Sequence, residues 1–570
     1  MPGINIIQKD SSSLKEDSTS LINKCLCLPN YNFNPIYSTT TWDISNWEYP
    51  DYPIKSYSEN EYTLIIEGSI DGYSPKALYT CFQKLNFEKK KLSSIVNDLN
   101  GEFIIVLINS TNNSLSIYND FWGRLPFYCY TEEERIKSAG RNISLIKEIN
   151  QVKLNRDRYV LAEYLCMGYN LGEKTHLQNI YKLPPNSSIH IEANGKFDIS
   201  RSNLLYKAIV NTDEKKDVRD SAKNLADLFL KALQKDLPAE GTNLLSMSGG
   251  LDSRIIAGAM EKLNINYCAS SFIDFEQTAK LDVQIAEDII QSYKKKLSII
   301  KTESSKHKDR KLLQQLKCGF NTTDMNFILQ FFAQLQREYN NITYITGDGG
   351  DKLLPSLMPL KNIFSFDQLY DYIINRQSSI PPKIACAIAN VSYSEFKERF
   401  IQYLKSYNFN SSKLAFKYFQ IRERAVNWLF EGEDRNRQFF RSYTPYYNSE
   451  FSRYALSIND KEKFDYKLFI SFIQDIDPKL LEYPNANWGT TQLNNKQIGK
   501  FFQKRRIIEN IPYQIKKILQ RGKENDDTLD LHQIKDSNFR EELEQIIANT
   551  NISPINLNFS QWEKVYSLYA

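Results

Sequence analysis

The stretch Leu244-Leu245-Ser246-Met247-Ser248-Gly249-Gly250-Leu251-Asp252-Ser253-Arg254 has the residue types and the order of a phosphate cradle. An apolar run delivers the chain to two glycines, and a helical pattern resumes at once. The glycines permit a tight turn and close approach of backbone to an anion, and a helix start aims unpaired N–H groups at it. The binding set read from this order is Ser246, Met247, Ser248, Gly249, Gly250, Leu251, Asp252 and Ser253. Hydroxyls of Ser248 and Ser253 add donors. Asp252, a carboxylate among phosphate ligands, makes sense only with a cation, and magnesium bridging phosphate oxygens is the expectation. No Gly-Lys-Ser/Thr follows, so the turn is not a P-loop. A second glycine turn, Thr346-Gly347-Asp348-Gly349-Gly350-Asp351, follows the short apolar run from Ile342 to Ile345. Turns at the carboxyl ends of two strands in one parallel sheet face each other across the ligand crevice. Asp252 and Asp351 are then expected to share the magnesium, with Gly347, Asp348 and Gly349 beside the nucleotide. Taken alone, the second turn also reads as a plain loop or a weak calcium site.

The elements needed to position these turns are legible around them. Apolar residues at Val218, Ala222, Leu225, Ala226, Phe229, Ala232 and Leu233 fall on one face of a helix over 217–236. A strand over 243–247, a helix over 253–263, a strand near 267–272 and another over 342–345 alternate as in a doubly wound parallel sheet. Residues 360–480 read as mainly helical. The first 200 residues read as β-rich, with strands at 62–66, 102–108 and 114–118 and a hairpin through 193–196. The polar run 211–216 reads as a linker. The expected fold is α/β: a β-rich sandwich over 1–210, a doubly wound parallel-sheet domain over 211–520 and a helical C-terminal tail over 521–570.

Composition limits the chemistry further. The 570 residues are 41% hydrophobic and 25% charged, with Lys+Arg 72 against Asp+Glu 68, a formal charge of +4. That balance argues against nucleic-acid and membrane-surface partners. The longest strongly apolar run, 103–108, is far short of the roughly 20 residues a spanning helix needs. The first twenty residues carry no signal-peptide pattern, and a cytoplasmic location is the expectation. Cysteines at 25, 27, 81, 129, 166, 268, 318 and 386 form no CxxC pair, and histidines stand only at 176, 190, 307 and 532. They read as small core thiols, and a zinc cluster is not expected. Lys504, Arg505, Arg506, Lys516, Lys517 and Arg521 read first as a solvated helical face and second as a surface for an acidic partner or carrier.

Together these residues resemble the asparagine synthetase family, in which an amidotransferase domain of the Ntn-hydrolase type is fused to an ATP-pyrophosphatase synthetase domain. Ser248 to Ser253 is the SGGxDS pattern of enzymes that split ATP between its α and β phosphates. The second turn is similar to the family's [ST]GEGxDE, with Asp348 for the first glutamate and Lys352 for the last. Leu99-Asn100-Gly101-Glu102-Phe103 resembles LNGxF, Asp120 to Tyr128 resembles the RDxxGxxPLYY turn, and Asn179 to Pro185 resembles IxxLPPG. The resemblance spans about 60–480. It implies ATP and magnesium as cofactors, Phe272 as a further nucleotide contact, and a catalytic lysine at Lys467, with Lys463 a close rival.

Departures from the pattern matter for the reaction. Glutamine-using members begin with a cysteine, whereas this chain begins Met1-Pro2-Gly3, and the GEIYN strand is represented by Gly68-Ser69-Ile70-Asp71-Gly72. Glutamine hydrolysis is therefore not expected unless processing exposes Cys25 or Cys27. The family's threonine pair matches Thr322-Thr323, but its aspartate-gripping arginine is replaced near Met325, and ExRxPFLD appears only as Arg441 to Asn448. The resulting expectation is an ATP-dependent carbon–nitrogen ligase. It activates a small-molecule or precursor-peptide carboxylate as an acyl-adenylate for an amine, with Asp348 accepting the amine proton. Lactam or macrolactam closure, as in lasso-peptide cyclases, is preferred over asparagine formation from ammonia or glutamine. Nucleic-acid modification and an ATP-binding scaffold are the other readings, and a homodimer or a carrier protein is a possible association.

Overall fold

A computed structural model describes residues 2–9, 30–210, 217–488, 495–510, 531–550 and 557–570, with Cys25, Leu28 and Leu493. The linker 211–216, Cys27, Lys516, Lys517 and Arg521 lie outside the described residues. In the first half, β1 (Gly3–Gln8), β2 (Asn32–Ser38), β3 (Trp42–Glu48), β4 (Ile54–Glu59), β5 (Tyr62–Ile70), β6 (Gly101–Asn109), β7 (Ser114–Asn119), β8 (Tyr128–Glu132), β9 (Arg135–Gly140), β10 (Ile180–Lys182), β11 (Ser187–Ile191) and β12 (Phe197–Arg201) form two antiparallel sheets. Their orders are β10-β8-β9-β1-β3-β2 and β12-β11-β7-β6-β5-β4. Alternation along β6 explains the layering. Ile104, Val106 and Ile108 meet Ile4, Ile6, Trp42 and Ile44 of the other sheet, while Phe103, Ile105 and Leu107 meet the helices Pro75–Lys84 and Lys89–Asp98. The expected sandwich is thus helix-covered on its outer face, and it includes strands in the first sixty residues that the sequence pattern did not mark.

The second half is built on β13 (Thr242–Ser246), β14 (Cys268–Ile273), β15 (Leu297–Lys301), β16 (Ile342–Ile345) and β17 (Arg441–Tyr443), all paired in parallel in the order β15-β14-β13-β16-β17. Neighbouring residues point to opposite layers: Leu244 and Tyr344 join one apolar cluster, Leu245 and Ile345 another. Both faces are therefore buried, which is why these strands read as continuous apolar runs. Strand order reverses between β13 and β16, and both glycine turns leave the sheet at that switch point. Among the described residues no helix is long and apolar enough to cross a membrane.

The halves are joined through buried charge. The helix Phe430–Asn436 carries Glu431, Glu433 and Asp434, each 1% exposed or less. Glu431 accepts from Lys182 and Lys317 at 2.7 Å each and from the Tyr128 hydroxyl at 2.8 Å. Asp434 accepts from Lys317 at 2.6 Å and from Arg141, which also pairs with Glu67 at 2.9 Å. Glu433 accepts from Arg124 at 2.8 Å and Arg437 at 3.3 Å. These cations hold Asp434 and Glu431 below the ordinary carboxylate range despite burial, which alone would raise them. The helix Phe559–Tyr569, expected as part of a tail, is built into the core: Trp562, Val565, Tyr566 and Leu568 pack with the helix Arg158–Met167 of the first half.

Candidate active site

The first glycine turn is shaped by its own side chains. Ser248 N–H donates to Ser253 Oγ at 3.0 Å, Gly250 N–H donates to Ser248 Oγ at 3.3 Å, and Ser253 Oγ donates to Ser248 O at 3.0 Å. The Ser253 and Ser248 hydroxyls also lie 3.0 Å apart, which ties the two ends of the loop together. A Cβ on Gly249 would lie 2.7 Å from Asp282 O, so only glycine fits there. The helix Leu251–Lys262 starts on Gly250 without a side-chain cap, as an anion site needs.

Behind the turn stands a group that the sequence pattern gave no role. Arg254 is fully buried, and its guanidinium donates to five carbonyls: Gly250 at 2.8 Å, Gly249 at 2.7 Å, Leu480 at 3.0 Å, Tyr483 at 2.9 Å and Pro484 at 2.6 Å. Burial lowers it to about 10, so it stays charged at neutral pH. It fixes the loop by its carbonyls and ties it to the segment 480–484.

The second turn lies directly against the first. A Cβ on Gly347 would fall 2.8 Å from Ser253 N and 2.9 Å from Asp252 Cβ, and one on Gly350 would collide with Asp252 Oδ1. Gly349 takes φ +101°, and any side chain there would strike the Tyr447 ring. The Asp351 carboxylate pairs with Lys352. The segment after β17 stitches both turns together. Tyr446 donates to Asp252 O at 2.9 Å, Tyr447 backs Gly349, and Thr346 Oγ1 lies 3.0 Å from Thr444 Oγ1. On the other side Tyr344 donates to Ser246 Oγ at 3.0 Å.

Electrostatics single out Asp252. Its Oδ1 is enclosed without a hydrogen-bond partner among the described residues. Burial first, then Asp351 and Asp348, push it well above the usual carboxylate range against the pull of Lys352. Asp348 is raised to about 6 by burial and by Glu433, opposed by the Thr346 hydroxyl. An enclosed, unpartnered carboxylate oxygen beside two further carboxylates fits a divalent cation. No preformed cage of three or more His, Cys, Asp or Glu exists among the described residues. Such an ion would take Asp252 and Asp351 and draw its other ligands from phosphate and water, the usual habit of magnesium.

A prediction follows from these shifts. The folded pKa of Asp348 lies above its unfolded value of 3.8, so the folded chain holds the extra proton and stability falls as pH rises between them. Asp348→Asn is therefore expected to leave stability unchanged below about pH 4 and to raise it above about pH 6 by roughly 3 kcal/mol. Urea titrations of both proteins at pH 4 and pH 7.5 measure this; equal differences at the two pH values would contradict it.

The remaining expected residues are distributed unevenly. Lys467 opens the helix Lys467–Ile476 with an exposed side chain. Lys463 is buried, donates to Ala455 O at 2.5 Å, and is lowered to about 7 by burial and by Lys417. Between them Tyr466 is raised by burial and by the charges of Asp252 and Asp351. Phe272, near the end of β14, packs on Phe327 and Phe331 at 5.4 Å. The threonine pair is engaged within the chain: Thr322 donates to Asp324 at 2.6 Å, and Thr323 donates to Glu563 of the helix Phe559–Tyr569 at 2.6 Å. At the head of β1, Ile4 N–H donates to Glu67 at 2.9 Å, and Cys25 packs with Trp47 and Leu145. Cys25, Cys129, Cys166, Cys318 and Cys386 are buried, as expected of core thiols, while Cys81 and Cys268 are half-buried.

Comparison with known proteins bears on the first half. Residues 85–201 match the family described as a glutamine amidotransferase domain. The matched stretch runs from the end of the helix Pro75–Lys84 to the last residue of β12, and it fits an asparagine synthetase-like N-terminal domain. No curated protein matches the chain.

Proposed function

We propose that the chain is an ATP-dependent, AMP-forming amide synthetase of the asparagine synthetase type. The observation that carries this reading is the contact of two glycine turns at a topological switch point, with Asp252 Oδ1 unpartnered between them. In this reading the turn from Ser246 to Ser253 holds the pyrophosphate portion of ATP, and Arg254 keeps the loop in shape from behind. Asp252 and Asp351 hold magnesium, which when bound neutralises charge on the departing pyrophosphate. A carboxylate substrate attacks the α phosphate to give an acyl-adenylate, and an amine displaces AMP. Asp348, ionised above about pH 6, accepts the amine proton. Lys463 is the better seated of the two lysines to lie near the acyl group, because its buried amine is paired with a carbonyl and its charge is weakly held.

The acyl donor is a small molecule or a precursor peptide, and lactam, macrolactam or another natural-product amide is the favoured product. Glutamine as nitrogen source is disfavoured, because the Glu67–Arg141–Asp434 cluster closes over the backbone at the head of β1. The purified full chain, given ATP, magnesium, an amine and its carboxylate, is expected to release AMP and pyrophosphate. A panel of ¹⁸O-labelled carboxylates identifies the donor by transfer of label to AMP. Asp252→Ala is expected to cost about 100-fold or more. Release of ADP and phosphate would refute the proposal.

A further inference from the structure

Two adjacent residues between Lys463 and Lys467 break the local rules of a helix start. Asp465 and Tyr466 both take positive φ, +54° and +60°, and neither is a glycine. A left-handed backbone is uncommon for aspartate and unfavourable for a bulky tyrosine. Tyr466 is also the residue that opens the helix Lys467–Ile476, a position that serine, threonine, aspartate or asparagine fills by preference, and its side chain caps nothing. Strain of this kind persists only where the surroundings over-determine it, and it gathers at functional sites.

Here one element supplies most of the restraint. From the helix Asn495–Glu509, Arg506 pairs with the Asp465 carboxylate, and Phe502 stacks on the Tyr466 ring at 5.1 Å and 17°. Phe469 stacks on the same ring at 5.6 Å and 16°, and Trp488 meets it edge-on at 4.9 Å. Backbone bonds tie this aromatic cluster to both glycine turns. Two residues before Trp488, Ala486 N–H donates to Gly249 O of the first turn at 3.4 Å. Ser356, in the segment that leaves the second turn, donates its N–H to Lys463 O at 3.4 Å.

The Tyr466 ring is thus committed to packing, and its hydroxyl is left. Other tyrosines at the turns use theirs within the fold: Tyr344 donates to Ser246 Oγ at 3.0 Å and Tyr446 to Asp252 O at 2.9 Å. Tyr466 is half-buried, and its hydroxyl bonds no described residue. Burial first, then Asp252 and Asp351, raise it against the pull of Arg505, so at neutral pH it keeps its proton and acts as a donor. Arg505 lies over the Phe501 ring at 5.7 Å and has no carboxylate partner among the described residues. A donor that senses both an uncompensated cation and the two carboxylates suited to magnesium has the surroundings of a metal-bound polyanion.

We propose that Tyr466 is a further binding residue of the nucleotide site, its hydroxyl donating to an oxygen of the pyrophosphate portion of ATP held at the two glycine turns. The strained pair 465–466 aims that hydroxyl, and the helix Asn495–Glu509 holds the aim. This assignment rests on the amide synthetase reading of the turns and adds a residue to it.

Calorimetric titration of the full chain with inorganic pyrophosphate in excess magnesium tests it without the acyl substrate. Tyr466→Phe keeps the ring stack and removes one hydroxyl. It is expected to unfold at the midpoint of the parent and to bind magnesium pyrophosphate about tenfold more weakly. Asp252→Ala is expected to abolish binding. Full affinity in Tyr466→Phe together with loss in Asp252→Ala would show that Tyr466 only packs, and would overturn the assignment while leaving the synthetase reading intact. No pyrophosphate binding by the parent, or undiminished binding by Asp252→Ala, would overturn that reading and the assignment with it.

Discussion

Arg254→Lys is expected to lower unfolding stability by about 3 kcal/mol or more and to abolish nucleotide turnover, although the charge is kept. Five buried carbonyls accept from one planar guanidinium, and each loses on the order of 1–3 kcal/mol when left without a donor, with strong non-additivity. A lysine ammonium has three donors on a flexible stem and cannot span carbonyls on both the glycine turn and the segment 480–484. Urea titration and a pyrophosphate-release assay read the two effects separately. Stability within a few tenths of a kcal/mol of the parent would show that the guanidinium does not anchor the turn.

The second large effect is expected at the weld between the halves. Asp434→Asn leaves Arg141 and Lys317 buried without one of their counter-charges, a change that costs roughly 3–5 kcal/mol in buried ion clusters. The folded pKa of Asp434 and of Glu431 lies below the unfolded one. Their contribution is therefore complete above about pH 4 and lost as pH falls through the depressed folded values. The gap between parent and Asp434→Asn should thus be full at neutral pH and shrink below about pH 4. That slope is opposite in sign to the one expected of Asp348→Asn, so the two variants check each other. Limited proteolysis at neutral pH should also cut the Asp434→Asn seam faster; a gap independent of pH would remove the electrostatic explanation.

The glycine turns and strands β13 and β16 were legible because everything that makes them is local: short apolar runs, adjacent glycines and a helical period that follows. The helix begins at Leu251, two residues before its expected start, since Gly250 caps it from the backbone. Strand β2 gave no signal because it is an edge strand with mostly exposed residues, and β3 mixes Trp42, Ile44 and Trp47 with polar residues. The helix Phe430–Asn436 was opaque for a different reason. The partners of its acids, Arg124 and Lys182, stand 309 and 249 residues away. No window of sequence contains that information. The same holds for Arg254, whose acceptors include carbonyls of 480–484, and for the choice between Lys463 and Lys467, which differ in burial rather than in neighbours.

The placement of the helix Phe559–Tyr569 bears on how the chain is made. Glu563 binds Arg310 across 253 residues, and Ser567 binds Thr323 across 244, while the same helix fills a core shared with Arg158–Met167. At ordinary translation speeds of about 5–20 residues per second, Arg310 waits on the order of 10–50 s for its counter-ion to leave the ribosome. During that interval the apolar surface of the helix Arg158–Met167 that Trp562, Val565, Tyr566 and Leu568 cover lacks its partner, so this core closes late in synthesis.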